Sequence, residues 1–287
     1  MITTIALDLD NTLLTSAKTI SPRTVTVLKQ LHTAGKRIVL CTGRPIKAIQ
    51  PYLQQLELNQ PTDYAITFNG GLVQQNTTGD VLARTSVTKQ DLQPLFEQAQ
   101  RQHFYLDVID LKQVYSITDL GKSPYEDFLQ GLMPFQNVSF AELPADDLFG
   151  KVVSAGNDAK TVQVQLPSQI TDFFHVVPSR RTLLEFLPPH TDKASGLQQL
   201  LDHFNEGYDN LMAFGDEEND LGMLTAAKVG VAMANAIPAV KAATTHTTLS
   251  NDEDGVAIFL ENYFKWMNQL GARNGFFFSA NITHKLN

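Results

Sequence analysis

Short apolar runs alternate with amphipathic stretches along this chain. The run "TIALDL", residues 4–9, is too brief for a helix and reads as a strand. It is followed by "TISPRTVTVLKQLHTAG", which carries the marks of a helix. Ser21 suits the N-cap, Pro22 the first helical position, Ile20 a staple onto Val25, and Gly35 the stop. "KRIVLCTGR" and "DYAITFNGG" repeat the strand-then-polar pattern. Further on, Leu197, Leu200, Leu201 and Phe204 fall at the i, i+3, i+4, i+7 spacing of an amphipathic helix. "NLMAFGDEENDLGML" then reads as a strand, an acidic loop and the start of a helix, with "KVGVAMANA" and a helix around "DGVAIFLENYFKWM" closing the set. Apolar strands alternating with helices predict a parallel sheet covered on both faces, an α/β Rossmann-like core.

The middle differs. From about residue 83 to 187 the runs "FYLDVID", "QVYSI", "KVVSAG", "FFHVVPS" and "TLLEFLP" look like strands, many alternating as in a sheet with one exposed face. "VTKQDLQPLFEQAQRQ" predicts a helix with Leu92, Leu95, Phe96 and Ala99 on one side, although Pro94 falls awkwardly inside it. This segment reads as an inserted α+β domain, residues 83–187, dividing a core made of residues 1–82 and 188–287. The tail 271–287, with Phe276, Phe277 and Phe278, has no period and no assigned role.

In parallel α/β sheets ligands bind beyond the carboxyl ends of the strands. Asp8 and Asp10, Thr42 to Arg44, Asn69 to Gly71, and Asp216 to Asp220 each directly follow an apolar strand. Four strand ends aiming polar groups at one edge read as a site.

Composition narrows the chemistry. The 287 residues carry a net charge of −8 with no basic run, which argues against a nucleic-acid partner. No stretch approaches a membrane span or a signal peptide, so the chain reads as cytoplasmic, a monomer or weak homo-oligomer. The single cysteine, Cys41, excludes an intramolecular disulfide, removes any Cys-rich zinc site, and reads as a small buried hydrophobe.

Asp8 and Asp10 end an apolar run one residue apart, and burying two carboxylates side by side is costly without a cation between them. On an extended chain they would project to one side, roughly 6.5 Å apart. Alone, such a pair serves equally as an N-cap or a surface feature. Asp216 and Asp220, with Glu217 and Glu218 beside them, change that balance, because converging acids raise one another's pKa values. Hard oxygen ligands favour Mg²⁺. Lys193 at a helix start offsets the acids, and Thr42 with the amide of Gly43 could donate to phosphoryl oxygens. Together these parts suit phosphoryl transfer. Asn11 follows the pair at a turn and tolerates left-handed backbone angles. Asn219 and Asp220 could cap the following helix or serve the site, and Arg44 is read evenly as a core ion pair or a substrate contact. Arg180 and Arg181 read as a solvated pair.

"DLDNTLL", "CTGR", Lys193 and "FGDEENDLGML" resemble, in order, the four motifs of the haloacid dehalogenase-like superfamily of phosphatases. "FNGG" and the position of the insert resemble its Cof-type branch, with a type IIB cap. The resemblance implies Asp8 as nucleophile and Asp10 as general acid and base. It implies Thr42, Gly43, Lys193 and Asn219 as phosphate-binding groups. Mg²⁺ would be held by Asp8, Asp10 through its main-chain carbonyl, and Asp216, with Asp220 and Asn219 in support; Arg44, Asn69 and Gly70 would line the substrate. It implies a Mg²⁺-dependent hydrolase of small phosphorylated metabolites such as sugar phosphates. Two rivals stay open: a phosphomutase or phosphotransferase of the same superfamily, and a non-catalytic phosphometabolite sensor. The family's usual Gly is Asn11 here.

Overall fold

The computed structural model describes residues 1–273, with side chains described through residue 264. The tail from residue 274, including the three phenylalanines, lies outside the described residues. Among the described residues, fourteen strands form three sheets. The first is wholly parallel and contains β1 (Thr4–Leu7), β2 (Arg37–Leu40), β12 (Leu211–Gly215), β13 (Val229–Ala232) and β14 (His246–Thr247), in the order β14-β13-β12-β1-β2. β1 and β12 are buried along their whole length, so both faces are covered, as continuous apolar strands require.

The helix after β1, Pro22–Thr33, begins as its sequence predicts: the Ser21 hydroxyl accepts from the Thr24 amide and Pro22 opens the first turn. This helix packs beside the closing helix Gly255–Arg273. The helix Lys193–His203 packs beside Leu221–Ala226.

β2 continues through a parallel bridge from Cys41 to Ile66 into β3 (Tyr64–Thr67), which pairs antiparallel with β4 (Leu72–Gln75), and that with β5 (Val81–Arg84). The third sheet holds β6 (Asp107–Ile109), β7 (Val114–Ile117), β8 (Phe135–Val138), β9 (Lys151–Ala155), β10 (His175–Arg180) and β11 (Leu183–Leu187), ordered β10-β11-β9-β6-β7-β8. All its pairings are antiparallel except β7 with β8. This sheet is the inserted cap.

The helix Lys89–Gln102 runs through Pro94 without a break. A capping box of Thr88 and Asp91 fixes its first turn, and Leu92, Leu95 and Ala99 bury its inner face. Those contacts outweigh the one backbone bond that Pro94 deletes.

One expectation is corrected. The cap sheet's alternation predicts an exposed face, but β9 and β11 are buried throughout. One face carries Val152, Leu184 and Phe186 under the cap helices. The other carries Val153, Ala155 and Leu183, clustered with Phe68 and Leu72 of the core. The polar alternation positions face the core rather than water, which sequence period alone does not distinguish.

Asp107 lies on this sheet, fully buried, with one carboxylate oxygen taking the Ser123 hydroxyl at 2.5 Å and the other without a hydrogen-bond partner among the described residues. Burial pushes its pKa up to about 6, against smaller lowering by Ser123 and Ser116. The folded value lies above the unfolded one, so the folded state binds the proton more tightly. The associated stability is complete below about pH 4 and lost as pH rises through about 6. Asp107→Asn keeps an acceptor for Ser123 and cannot ionise. Its stability relative to the parent should therefore climb by about 2–3 kcal/mol between pH 4 and pH 7, measured by urea unfolding. Parallel pH profiles for the two proteins would contradict this.

Candidate active site

β1 has β2 on one side and β12 on the other, so the chain order reverses between β1 and β12. In such sheets the crevice at that switch point receives the ligand. Asp8 follows β1 and Asp216 follows β12, and their strands are in register at Leu7 and Phe214. The two acids are therefore side by side at the crevice mouth.

Lys193 enters from the helix that it opens. Its ammonium is fully buried and bonds Asp8 Oδ1 at 2.5 Å and Asp220 Oδ1 at 2.7 Å. Asp220 spends its other oxygen on the amides of Asp216 and Glu217, at 2.9 and 3.0 Å. Oxygens of Asp8, Asp216 and Asp220 lie within 4.8 Å of one another. Asp216 also accepts from the Thr12 hydroxyl at 2.8 Å.

Charge in this cluster is unbalanced. Burial alone would weaken the Lys193 ammonium, but Asp220 and Asp8 more than reverse that and raise its pKa. Burial raises Asp8 most, with Lys193 opposing. Burial also carries Asp216 up to about 7; Thr12 opposes it, and neighbouring Asp220 and Glu217 add to the rise. One buried cation does not offset three buried carboxylates, and an all-oxygen donor set of this size fits a small divalent cation.

Asp10 turns elsewhere. Its carboxylate takes a two-pronged bond from Arg44, at 2.9 and 2.6 Å, and one from Lys18 at 2.8 Å. Burial pushes its pKa up, but the bonds and charges of Arg44 and Lys18 outweigh that and hold it at about 2. Asn11 is left-handed at φ 61°, as its type predicts, and its carbonyl accepts from Asn235 at 2.8 Å. Arg44, read evenly from sequence, pairs with a carboxylate of the site itself.

Thr42 and Gly43 follow β2 on a loop tied to the next strand end. Thr42 donates its amide to Ile66 and accepts from the Asn69 amide, at 2.9 and 3.0 Å. Asn69 is left-handed at φ 55°. Its side chain accepts from Asn219 at 3.0 Å and donates to Glu185 at 2.8 Å. Gly70 has φ +100°, and a Cβ there would sit 1.8 Å from the Asp192 carbonyl oxygen. Only glycine permits both the backbone and that approach, and Gly196 meets Gly70 the same way, its own Cβ position lying 2.9 Å from Gly70 Cα. This contact seats the Lys193 helix against the Asn69 loop.

Every sequence-predicted site residue thus reaches this edge. Four residues that the sequence reading does not single out also touch it: Thr12 bonds Asp216, Lys18 bonds Asp10, Lys151 donates to the Gly43 carbonyl and Glu185 accepts from Asn69. Glu185 left a signal, a lone acid inside the apolar run "LLEFL"; Lys18 left none. Cys41 is buried, and burial raises its thiol pKa far from reactivity. Arg180 and Arg181 are exposed, as read.

A family model described as haloacid dehalogenase-like hydrolase matches residues 5–260. The 5-amino-6-(5-phospho-D-ribitylamino)uracil phosphatase YitU of Bacillus subtilis is 32% identical over 279 residues, covering 91% of this chain and 97% of that one. The pyridoxal phosphate phosphatase YbhA of Escherichia coli is 29% identical over 269 residues, 90% of this chain and 97% of that one. A crystal structure of a haloacid dehalogenase-like hydrolase from Bacteroides thetaiotaomicron superposes with a TM-score of 0.79 at 29% identity, covering 92% of this chain and all of that chain.

Replacing Gly70 by Ala forces a collision with the Asp192 backbone at an unfavourable φ. The expected cost is about 2–4 kcal/mol, read by thermal or urea unfolding. A variant as stable as the parent would show that the loop and helix do not need this approach.

Proposed function

The chain belongs to the haloacid dehalogenase-like hydrolases and is a phosphatase, and we propose that it hydrolyses small phosphorylated metabolites through a phosphoryl group carried on Asp8. The observation that carries this reading is the buried Lys193 ammonium shared by Asp8 and Asp220, with Asp216 alongside, at the switch point of the sheet.

In the first step an Asp8 carboxylate oxygen attacks phosphorus and the ester oxygen departs, taking a proton from Asp10. In the second, water attacks the same phosphorus, giving its proton to Asp10, and Asp8 leaves as carboxylate. Lys193, the Thr42 hydroxyl and the Gly43 amide are the donors for the phosphoryl oxygens, and Asn219 holds its loop in place through Asn69. Asp10 is now the carboxylate of the second step. To serve the first it must take up a proton and exchange the fork of Arg44 for the leaving-group oxygen, which frees the guanidinium for substrate. Asn69 and Gly70 line the same edge.

Mg²⁺ fits the acidic set: Asp8, Asp216 and the main-chain carbonyl of Asp10 would hold it, with Asp220 in support, and it would neutralise charge on the phosphoryl oxygens. Asp220 is already committed to Lys193 and two amides, which suits support better than direct ligation. No described helix is long and apolar enough to cross a membrane. The named substrates of the two phosphatase relatives differ, so the substrate class, a small phosphorylated metabolite, is what they support.

Phosphate release from p-nitrophenyl phosphate and a panel of sugar, pyridoxal and flavin-type phosphates tests this, with Mg²⁺ and with EDTA. Turnover should require the metal and fall by at least about 10³-fold in Asp8→Asn. Asp10→Asn should slow alkyl esters by about 10²–10⁴-fold, and p-nitrophenyl phosphate less, because nitrophenolate leaves without a proton. Full turnover by Asp8→Asn would sink the mechanism, and transfer to a second hydroxyl without free phosphate would mark a mutase instead.

A further inference from the structure

Lys151 on β9 and Glu185 on β11 form a buried ion pair at 3.1 Å, with only 3% and 5% of each residue exposed. Their strands share the register Glu185–Val153–Asp107, and Lys151 lies two residues before Val153, so both side chains project from the core-facing side of the cap sheet. Neither stops at the other. Lys151 also donates to the carbonyl of Gly43 at 3.1 Å. Glu185 accepts from Asn69 at 2.8 Å, and the Ser179 hydroxyl steadies its other oxygen at 3.3 Å. Asn69 in turn accepts from Asn219, the residue before Asp220. One unbroken chain of polar contacts therefore runs from two cap strands to the loop after β2 and the acidic loop after β12.

A buried pair of this kind is poorly explained by stability. Taking both charges out of water costs about as much as their attraction returns, and well-packed apolar pairs often replace them without loss. What the pair provides is direction: two fixed bonds from the cap onto backbone and amide groups that border the phosphoryl site.

We propose that Lys151 and Glu185 are positioning residues which couple the seating of the cap to the alignment of the Thr42–Gly43 loop and of Asn219. The proposal rests on the phosphatase reading. With the cap seated, the ammonium holds the Gly43 carbonyl and so aims the neighbouring amides, while the carboxylate holds Asn69 and, through it, Asn219. With the cap lifted, both bonds are lost and the two loops relax. The substrate's phosphoryl group is then gripped fully only under a closed cap.

Three variants test this: Lys151→Met, Glu185→Leu and the double variant, each with kcat and KM on p-nitrophenyl phosphate and the metabolite panel and with thermal stability alongside. Each single change strands a buried charge and should lower both Tm and kcat. The double change leaves no stranded charge, so Tm should return towards the parent. Its kcat should stay about 10- to 100-fold low on every ester, with the ranking of the panel unchanged. A double variant that regains kcat along with Tm would overturn the proposal, as would a reordered panel with p-nitrophenyl phosphate turnover intact. If the parent itself releases no phosphate from any ester, the phosphatase reading fails on its own. The coupling is then read from orthovanadate affinity by calorimetry with Mg²⁺: binding about tenfold weaker in the double variant upholds it, and equal binding refutes it.

Discussion

A buried ammonium between two carboxylates governs the architecture of this edge. Lys193 is fully sequestered, and so is Asp220; separated from each other, either would be a stranded charge in a low-dielectric interior. The three groups come from three places, the end of β1, the start of a helix and the loop after β12. The sheet register that places Asp8 beside the end of β12 is what makes the grouping possible. The Gly70–Gly196 approach supplies the remaining condition, since any side chain at either position would hold the Lys193 helix away from the neighbouring loop.

The surplus of negative charge follows from the same construction. Three carboxylates whose oxygens lie within 4.8 Å are tolerated because one cation is built in and a second fits the oxygen donors left over. Phosphoryl transfer asks for this arrangement, because the transferring group brings charge that only cations and aimed donors can stabilise. Asp10 stands apart from that cluster, bound by Arg44 and Lys18 at its own side of the crevice. Asp8 and Asp10 are thus kept in different electrostatic surroundings although they are two residues apart.

The cap contributes more than a roof. Its sheet turns an apolar patch and a buried ion pair towards the core, and the pair bonds groups on two of the loops that border the acids. Exclusion of water strengthens each interaction beneath it. Polar residues on a strand inside such a seam are costly unless they are matched, and here Lys151, Glu185, Asn69 and Asn219 match one another.

Periodicity alone determined the alternation of strands and helices, the inserted segment and the polar groups at four strand ends. The spacing of Ser21, Pro22 and Gly35 set the bounds of one helix, and the type of Asn11 anticipated its left-handed backbone. These are local properties, set by neighbours in sequence and by the allowed angles of each residue. Tertiary structure decided the rest. The sequence alternation of the cap strands is the same whether a face meets water or the core, so the burial of Lys151 was not legible in it, and the lone acid in "LLEFL" marked Glu185 without naming its partner. Arg44 and Lys18 find Asp10 only because separate loops converge, and Thr12 finds Asp216 across 204 residues of chain. A local pattern can say that a group is polar and stands at a strand end; which partner satisfies it depends on sheet order and register, which the chain acquires only by folding.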